Sequence, residues 1–352
     1  MRPGLSALGA LLAASIAHAQ MPSDEPVRVS ETAHFRCLYE PALAPLVPQL
    51  LADCEEAHAR LSPVFRWTPA GKTTVLFADD TDLHNGWATP VPRPTMKILA
   101  SAPPVKSSIF DAGPYLRRTV FHEYAHILVT DAQYGADAAL AGLFGRVLPL
   151  TADPLSLTLT FFSLPPSLFA PSWFHEGIST WVETEFAGPG RGRNTVADMV
   201  LRVAAAEGRS LDPSEWNENL PDWPYGQAVY LYGLKAMQYA EESYGLKANS
   251  VRAVPAELSD SMAHSFACFV NRTARPVTGE WLGELARNAS RRERTRQEQR
   301  LARLKEEPLT PLTRLTPRDV QVERPAFGPD GTIWFIGQPA DARGSQIGRA
   351  HV

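Results

Sequence analysis

Apolar and polar residues alternate with a period of two at the start of the chain and with helical spacing soon after. The stretch VRVSETAHFRCLYEP, which starts at Val27, predicts a strand, and LVPQLLADCEEAHARLSPVF predicts a helix. KTTVLFADDTD and TMKILAS predict two more buried strands, separated by a loop at 84–94 that is rich in Gly, Pro and Asn. These patterns indicate a small sheet with one helix beside it.

Helical spacing dominates the next part of the sequence. A long helix is predicted to begin near Asp111, a suitable N-cap, and to run through GPYLRRTVFHEYAHILVT. PSWFHEGISTWVETEF and YGQAVYLYGLKAMQYAEESYG predict two further amphipathic helices, and the sequence remains helical in character to about residue 285. Strands followed by helices are typical of the α+β class.

The stretch LPLTADPLSLTLTFFSLPPSLFAP, at 148–171, is unusually apolar. A membrane-spanning helix needs about 20 consecutive apolar residues, but Asp153, Pro154 and the pair Pro165 and Pro166 interrupt this stretch. We therefore interpret it as an insertion packed on the domain. Peripheral membrane contact through 148–171 is the alternative.

The N-terminus has the composition of an export signal. Residues 1–19 contain one basic residue, Arg2, an apolar run over 5–17, and small residues at Ala17 and Ala19. The run is too short for a membrane anchor. We expect cleavage after Ala19 and a mature protein in the periplasm or outside the cell.

The charge of the chain gives no sign of a nucleic-acid partner, and its cysteine content leaves the disulfide pairing open. The formal net charge is −4, and the basic residues at 291–307 are interleaved with acidic ones, which predicts a charged, solvated helical linker at 286–316. With three cysteines, at most one disulfide can form. Cys37 with Cys54 is the local candidate, and three unpaired buried thiols fit the sequence equally well.

The strongest chemical signal is FHEYAHILV at 121–129. Residues four apart on a helix lie on one face, so His122 and His126 can bind a single metal ion through their imidazoles. Glu123 is rotated off that face and can hold a water molecule instead, which is the arrangement in HExxH zinc hydrolases. The alternative is two structural histidines in an ordinary helix, which would cost about 2 kcal/mol or more for each unpaired buried group.

A catalytic zinc site needs a third protein ligand. PSWFHEGIST at 171–180 offers Glu176, and Gly177 beside it leaves room for close approach of the first helix. Its neighbour His175 is a rival ligand. Adjacent residues on a helix point about 100° apart, so only one of the two can face the metal.

FHEYAHILV followed by PSWFHEGISTWVE resembles the gluzincin peptidases, and more closely the bacterial peptidase MA-like family, in which a P-x-W-x-x-E-G helix follows the HExxH helix. The resemblance covers most of residues 27–245. It implies a zincin-like metallopeptidase domain at 20–285, with a small mixed sheet, the HExxH helix and then a helical subdomain. Glu176 follows His126 by 50 positions, more than in thermolysin-like relatives, and the apolar insertion accounts for that length.

The resemblance also implies roles for individual residues. It assigns His122, His126 and Glu176 as ligands of Zn²⁺ and Glu123 as the general base. Gluzincin relatives often use a tyrosine to stabilise charge on the carbonyl oxygen. We favour Tyr230 over Tyr225 and Tyr232, which lie in the same predicted helix, although each of the three also fits a core position.

Other residues could support such a site. Glu183 lies seven positions after Glu176 and so on a similar helix face, where it could contact a metal ligand without binding the metal itself. A solvent-facing charge is an equally good interpretation. Arg117, Arg118 and the loop at 188–193 could meet a substrate carboxylate or be ordinary surface residues.

The expected function is that of an exported zinc-dependent peptidase, which hydrolyses a peptide or protein substrate with a metal-activated water. The alternative is a non-catalytic zinc-binding scaffold or assembly protein of the bacterial envelope. Glu123 argues against it, because a scaffold needs ligands but no base. A zinc hydrolase acting on a non-peptide amide or on cell-wall peptide also fits, whereas an edge strand at GWATPVPRP (86–94) would favour extended peptides.

The C-terminal part of the sequence resembles the start of a β-propeller. FGPDGTIWFIG looks like the opening strand pair of a bacterial propeller blade, and such propellers follow exported peptidase MA-like domains. This implies first propeller strands at 317–346 and a propeller that gates or recruits substrate as an intramolecular partner. No partner strand is predicted after these. Residues 347–352 match the translation of a common sequencing adapter, so our hypothesis is that the chain is truncated.

Overall fold

The computed structural model describes residues 26–103, 114–146, 153–217, 225–245, 253–308, 310–311, 313–316, 320–339 and 346–350. The signal segment predicted at 1–19 lies outside these residues. The described residues form a mixed α+β fold with many helices and little sheet, as the sequence predicts. The chain divides into a large compact unit, Met1–Leu301, and a small one, Ala302–Val352.

The large unit contains a five-stranded sheet with parallel central strands and an antiparallel strand at each edge. The strands are Arg28–Glu31 (β1), Phe35–Tyr39 (β2), Thr73–Ala78 (β3), Gly86–Thr89 (β4) and Thr95–Leu99 (β5), in the spatial order β1-β2-β3-β5-β4. The single strand predicted from Val27 is in fact a hairpin, because the Thr32 N–H donates to the Phe35 carbonyl (2.9 Å) and turns the chain. β4 lies within the predicted loop at 84–94.

The first helix, α1, is Val47–Phe65 and packs on β2. Its apolar residues recur every three or four positions, which gives the helix one buried stripe of Leu50, Cys54, Ala57 and Leu61. The helix ends where Arg66 adopts a left-handed backbone conformation (φ 52°) and its N–H donates to the Ser62 carbonyl.

The helix predicted around HEYAH is α2, Tyr115–Asp131. It begins at Tyr115 with Pro114 at the N-cap, whereas the predicted N-cap, Asp111, lies outside the described residues. α2 is buried on almost every side because it packs against α1, against β4 and β5, and against the helix that carries Glu176. A helix in such a position can hold polar side chains only where they meet partners.

More helices follow in the described part of the chain, as the helical patterns predict. Their bounds are Gly135–Phe144 (α3), Pro154–Ser163 (α4), Ser172–Val182 (α5), Thr195–Ala206 (α6), Ala228–Tyr244 (α7), Val254–Ala263 (α8), Arg275–Thr278 (α9) and Leu282–Leu304 (α10). α5 and α7 pack at close range, since a Cβ built on Gly177 would lie 2.5 Å from the Gly233 carbonyl oxygen. This contact holds α5 against α7, and α5 also packs against α2, which carries the two histidines.

The apolar stretch at 148–171 is partly packed and partly exposed. It contributes α4 and a 3-10 turn at Pro166–Phe169, and residues 163–167 are buried. α3 and α4 leave four large apolar side chains exposed, those of Leu143, Phe144, Leu155 and Phe162. Among the described residues, no helix combines the length and the apolar character needed to cross a membrane.

The start of the charged linker predicted at 286–316 lies inside a helix that is partly buried in the large unit. α10 begins at Leu282, and the apolar stripe of its first half is buried at Leu285, Ala286 and Ala289. The large unit therefore continues to Leu301. Because most residues of this stretch are charged, the sequence pattern does not reveal the apolar stripe, which packs as in other amphipathic helices.

The small unit contains a three-stranded antiparallel sheet of Val320–Phe327 (β6), Ile333–Pro339 (β7) and Gln346–Ala350 (β8), in that order. In the turn before β7, Asp330 Oδ1 accepts from the Thr332 N–H (3.1 Å) and Gly331 has a positive φ of 79°. The expectation that no later strand partners β7 is wrong, because β8 pairs with it and includes part of 347–352. The strands described in this unit form one open sheet and no closed propeller.

Candidate metal centre

Two helices bring three ligand atoms together in the large unit. α2 places the Nε2 atoms of His122 and His126 3.1 Å apart. α5 places Oε2 of Glu176 3.1 Å from Nε2 of His122 and 3.4 Å from Nε2 of His126. The three residues predicted as ligands therefore form a group that could hold a metal ion.

The charges around this group favour a cation at its centre. Burial alone would raise the pKa of Glu176, but His126 and His122 hold that pKa well below its usual range. Burial alone would lower the pKa of His122, but Glu176 and Glu183 raise it to about 10. Each buried charge is stabilised by an opposite one, so a proton or a metal ion is strongly favoured between the carboxylates and the imidazoles.

His175, the rival third ligand, does not join the group. Its ring packs edge-on against Phe174, with the ring centroids 5.9 Å apart. Burial, together with the nearby His126, lowers the pKa of His175 to about 4, so this imidazole is neutral at physiological pH. The choice that the sequence leaves open therefore falls on Glu176.

Glu123 lies beside the ligand group and is itself buried. Its Oε1 faces β4 so closely that a Cβ built on Gly86 would lie 2.7 Å from it. Its Oε2 is buried and has no hydrogen-bond partner among the described residues. Burial raises the pKa of Glu123, so a carboxylate with increased basicity stands next to the three ligand atoms.

Glu183 is completely buried, so the interpretation of a solvent-facing charge is wrong. Its Oε1 lies 2.7 Å from Nδ1 of His122, the ring nitrogen that does not face the other ligands. Glu183 begins a π-helical turn, Glu183–Ala187, that extends α5. Such turns occur frequently at functional sites, and a carboxylate at this position fixes the ring orientation of a metal-binding histidine.

Arg191 connects Glu183 with Tyr230. Its Nη2 lies 3.3 Å from Oε1 of Glu183, and its guanidinium carbon lies 4.4 Å from the centroid of the Tyr230 ring. The loop that carries Arg191 is packed on the π-helical turn, where the Gly192 N–H donates to Oγ1 of Thr184 (3.1 Å). This backbone contact holds the arginine beside the site.

Among the candidate tyrosines, the structure places Tyr230 at the site. Its ring centroid lies 6.0 Å from that of His122, and Glu176 and burial raise its pKa. Tyr232 faces the core, where it stacks on Trp216 with the centroids 5.3 Å apart. The side chain of Tyr225 lies outside the described residues.

The two arginines of α2 have different surroundings. Arg117 lies 3.1 Å from Oδ1 of Asp53 and 2.6 Å from Oε2 of Glu56, so it ties α2 to α1 and has a structural role. Arg118 lines the cleft into which the ligand group opens. Arg118 and Arg191 thus bring positive charge to that cleft.

The cleft has a volume of about 650 Å³. β4, α2, the residues after α4 and the N-terminal part of α7 all contribute to its lining. β4 is the last strand of the sheet, and β5 pairs with only one of its sides. Within the stretch at 86–94, the edge strand β4 therefore lies along the cleft at Gly86–Thr89.

The sequence points only to the regions that contain two further residues at the site, the loop at 188–193 for Arg191 and the stretch at 86–94 for Gly86, and not to their contacts. Gly190 and Gly192 flank Arg191, and glycine permits a loop to approach another backbone closely. Gly86 lies 37 positions before Glu123, so the contact between them can be seen only in the folded chain.

No protein-family model and no curated protein matches this chain.

Proposed function

We propose that this protein is an exported zinc-dependent peptidase of the gluzincin type. The observation that carries the proposal is the convergence of His122, His126 and Glu176, whose ligand atoms are 3.1–3.4 Å apart, beside the buried carboxylate of Glu123. A small mixed sheet, the HExxH helix α2 and a helical region that carries the third ligand support a zincin-like fold. The composition of residues 1–19 supports export.

Zinc suits the three ligand atoms in both chemistry and spacing. Zn²⁺ binds imidazole nitrogen and carboxylate oxygen at about 2.0–2.2 Å, and in its preferred tetrahedral geometry two ligands are about 3.4 Å apart. The separations of 3.1, 3.1 and 3.4 Å are close to that value. Three protein ligands leave a fourth position open, as in zinc enzymes that catalyse hydrolysis.

The residues around the ligands fit peptide hydrolysis. When bound, zinc supplies a Lewis acid that polarises a carbonyl group and lowers the pKa of a water molecule. Glu123 would accept a proton from the attacking water at Oε2 and deliver it to the leaving amine, and its raised pKa suits a group that must do both. Tyr230 would donate a hydrogen bond to the carbonyl oxygen as negative charge develops there.

β4 favours an extended peptide as the substrate. Within the described residues no strand pairs with its outer side, so its backbone N–H and C=O groups are available to a peptide in the cleft. Adding a strand to an exposed sheet edge is a common way to bind peptides. The sheet of the small unit would be the first strands of the propeller that the resemblance implies.

Metal content and turnover together separate a peptidase from a scaffold that binds zinc without catalysis. We expect about one zinc per chain in the wild type and in Glu123→Gln, and loss of zinc in His126→Ala and Glu176→Ala. His175→Ala is the matched control, because His175 is adjacent to a ligand but lies outside the group. This variant should keep its zinc.

Cleavage of a peptide library by the wild type but not by Glu123→Gln would establish catalysis. A wild-type chain that binds zinc and cleaves no peptide would support the scaffold instead. A chain that cannot be loaded with zinc would overturn both functions.

A further inference from the structure

The cleft has a defined direction, because β4 and α2 run alongside each other. At one end, the Tyr115 hydroxyl donates to the Asn85 carbonyl (3.2 Å), just before β4 begins. At the other end, Arg146 donates to the carbonyls of Pro90 (2.6 Å) and Asp131 (3.0 Å), which follow β4 and end α2 respectively. Both elements therefore start at the Tyr115 end of the cleft and finish at the Asp131 end.

The residues after α4 line the cleft at the Asp131 end. Nε2 of Gln133, which closely follows α2, donates to the Ser163 carbonyl (3.1 Å) and fixes the end of α4 there. The chain then continues along the cleft with Leu164, Leu168 and Ala170 among the lining residues.

The two ends of the cleft differ in chemistry. The Asp131 end has mostly apolar lining, with Thr130 as a polar exception; its apolar lining residues are Pro90, Val91, Leu164, Leu168 and Ala170. The Tyr115 end carries Tyr115 itself and Arg118, one turn before His122. A bound peptide would therefore meet an apolar wall on one side of the ligand group and polar groups on the other.

We infer that the apolar end of the cleft is a subsite for one large apolar side chain of the substrate, on the N-terminal side of the cleaved bond. The inference rests on the proposed peptidase function and adds a substrate class to it. Leu164, Leu168 and Ala170 are its specificity-determining residues. The insertion that lengthens the spacing between His126 and Glu176 supplies these three side chains.

The direction of the peptide decides on which side of the cut the apolar residue lies. Antiparallel pairing is slightly more stable per residue than parallel pairing. β4 runs from the polar end toward the apolar end, so a peptide paired antiparallel to it runs from the apolar end toward the polar end. Residues before the cut then occupy the apolar subsite.

Cut sites in a random peptide library, digested by the zinc-loaded full chain and read by mass spectrometry, test the inference. We expect Leu, Ile, Phe or Met to be enriched within two positions before the cut, with kcat/KM about 10-fold to 200-fold higher than for Gly at the same position. Enrichment after the cut, or no apolar enrichment, would overturn the subsite but leave the peptidase intact. If the wild type cleaves no peptide, the proposed function itself fails.

Binding without turnover provides a second readout. Fluorescein-labelled peptides with Phe or Gly at the selected position are titrated into the Glu123→Gln variant and followed by fluorescence anisotropy. The Phe peptide should bind at least about 10-fold more tightly, since an apolar side chain is removed from water. Equal affinities would contradict the inference.

Two substitutions assign the preference to the proposed residues. Leu168→Ser should reduce the preference for Phe over Gly by about 10-fold, and Ala170→Leu should shift it toward smaller side chains because the subsite is narrower. Leu143→Ser is the matched control, since Leu143 is an exposed leucine on α3 that does not line the cleft. If Ala170→Leu, with its zinc content intact, selects the same side chains as the wild type, these residues do not form the subsite.

Discussion

Oε1 of Glu183 lies 2.7 Å from Nδ1 of His122, whereas Nε2 of the same ring faces Glu176 and His126. With a proton on Nδ1, the imidazole keeps a lone pair on Nε2 for a metal ion. A carboxylate at this distance favours the tautomer with the proton on Nδ1, which leaves Nε2 for the metal ion. Arg191, 3.3 Å from the same oxygen, keeps Glu183 ionised inside the protein.

Replacing Glu183 should weaken metal binding. Glu183→Gln keeps the shape of the side chain but removes its charge, so we expect the affinity for Zn²⁺ to fall by about 10-fold to 100-fold. Competition with a chelator of known affinity measures this change. Glu185→Gln is the matched control, because Glu185 is exposed and its nearest ion pair is with Arg193 at 3.7 Å. Equal affinities in the two variants would contradict the assigned role.

Tyr230 should matter for turnover and not for metal content. Tyr230→Phe removes the hydroxyl that would stabilise the developing charge, so kcat should fall by about 100-fold to 1,000-fold with little change in KM. Tyr232→Phe is the control, since its hydroxyl instead accepts a hydrogen bond from the Leu211 N–H (3.2 Å). That variant should keep its kcat and lose about 1 kcal/mol of stability. An unchanged kcat in Tyr230→Phe would remove the tyrosine from the mechanism.

A methyl group at Gly86 should disturb Glu123. Its Cβ would lie 2.7 Å from Oε1 of Glu123 and 2.7 Å from Cγ2 of Thr119. Gly86→Ala should therefore displace the carboxylate and reduce peptide cleavage at least about 100-fold, because small displacements of catalytic groups have large effects on rate. Gly71→Ala, where no atom lies within 4 Å of the new Cβ, should cleave like the wild type. A fully active Gly86→Ala would show that Glu123 tolerates displacement.

Gly177 should matter for stability because it allows α5 and α7 to touch. Gly177→Ala places a Cβ 2.5 Å from a backbone oxygen of Gly233, which cannot move as a side chain can. We expect the free energy of unfolding to fall by about 1–3 kcal/mol, measured by urea denaturation. Gly142→Ala, at an open position in α3, should be neutral or slightly stabilising. Equal stabilities would mean that the helices can separate at no cost.

The thiols of Cys37 and Cys54 should be unreactive in the native protein. Both are free and buried, so the disulfide considered from the sequence does not form. Burial raises the pKa of Cys37 to about 12 and that of Cys54 well above its usual range, which leaves almost no thiolate at neutral pH. Alkylation followed by peptide mapping should label both cysteines only after denaturation. Labelling of either one in the native state would show that this part of the core opens.

Several parts of this protein can be predicted from local pattern alone. The strand and helix periodicities identify most elements, and the HExxH spacing identifies His122, His126 and Glu123, because both depend on residues only a few positions apart. Two predictions fail for equally local reasons. A turn at Thr32 divides one predicted strand into two, and the many charged residues of α10 make its buried apolar stripe hard to recognise in the sequence.

Only the folded chain decides among residues that are distant in sequence. The residues alone leave His175 as a rival to Glu176, and only the packing of α5 against α2 shows that Glu176 faces the histidines. The contact between Glu183 and His122 joins residues 61 positions apart, and Arg191 reaches the site only because its loop packs on the π-helical turn. Such contacts depend on the angles and distances between packed helices, which local periodicity does not encode.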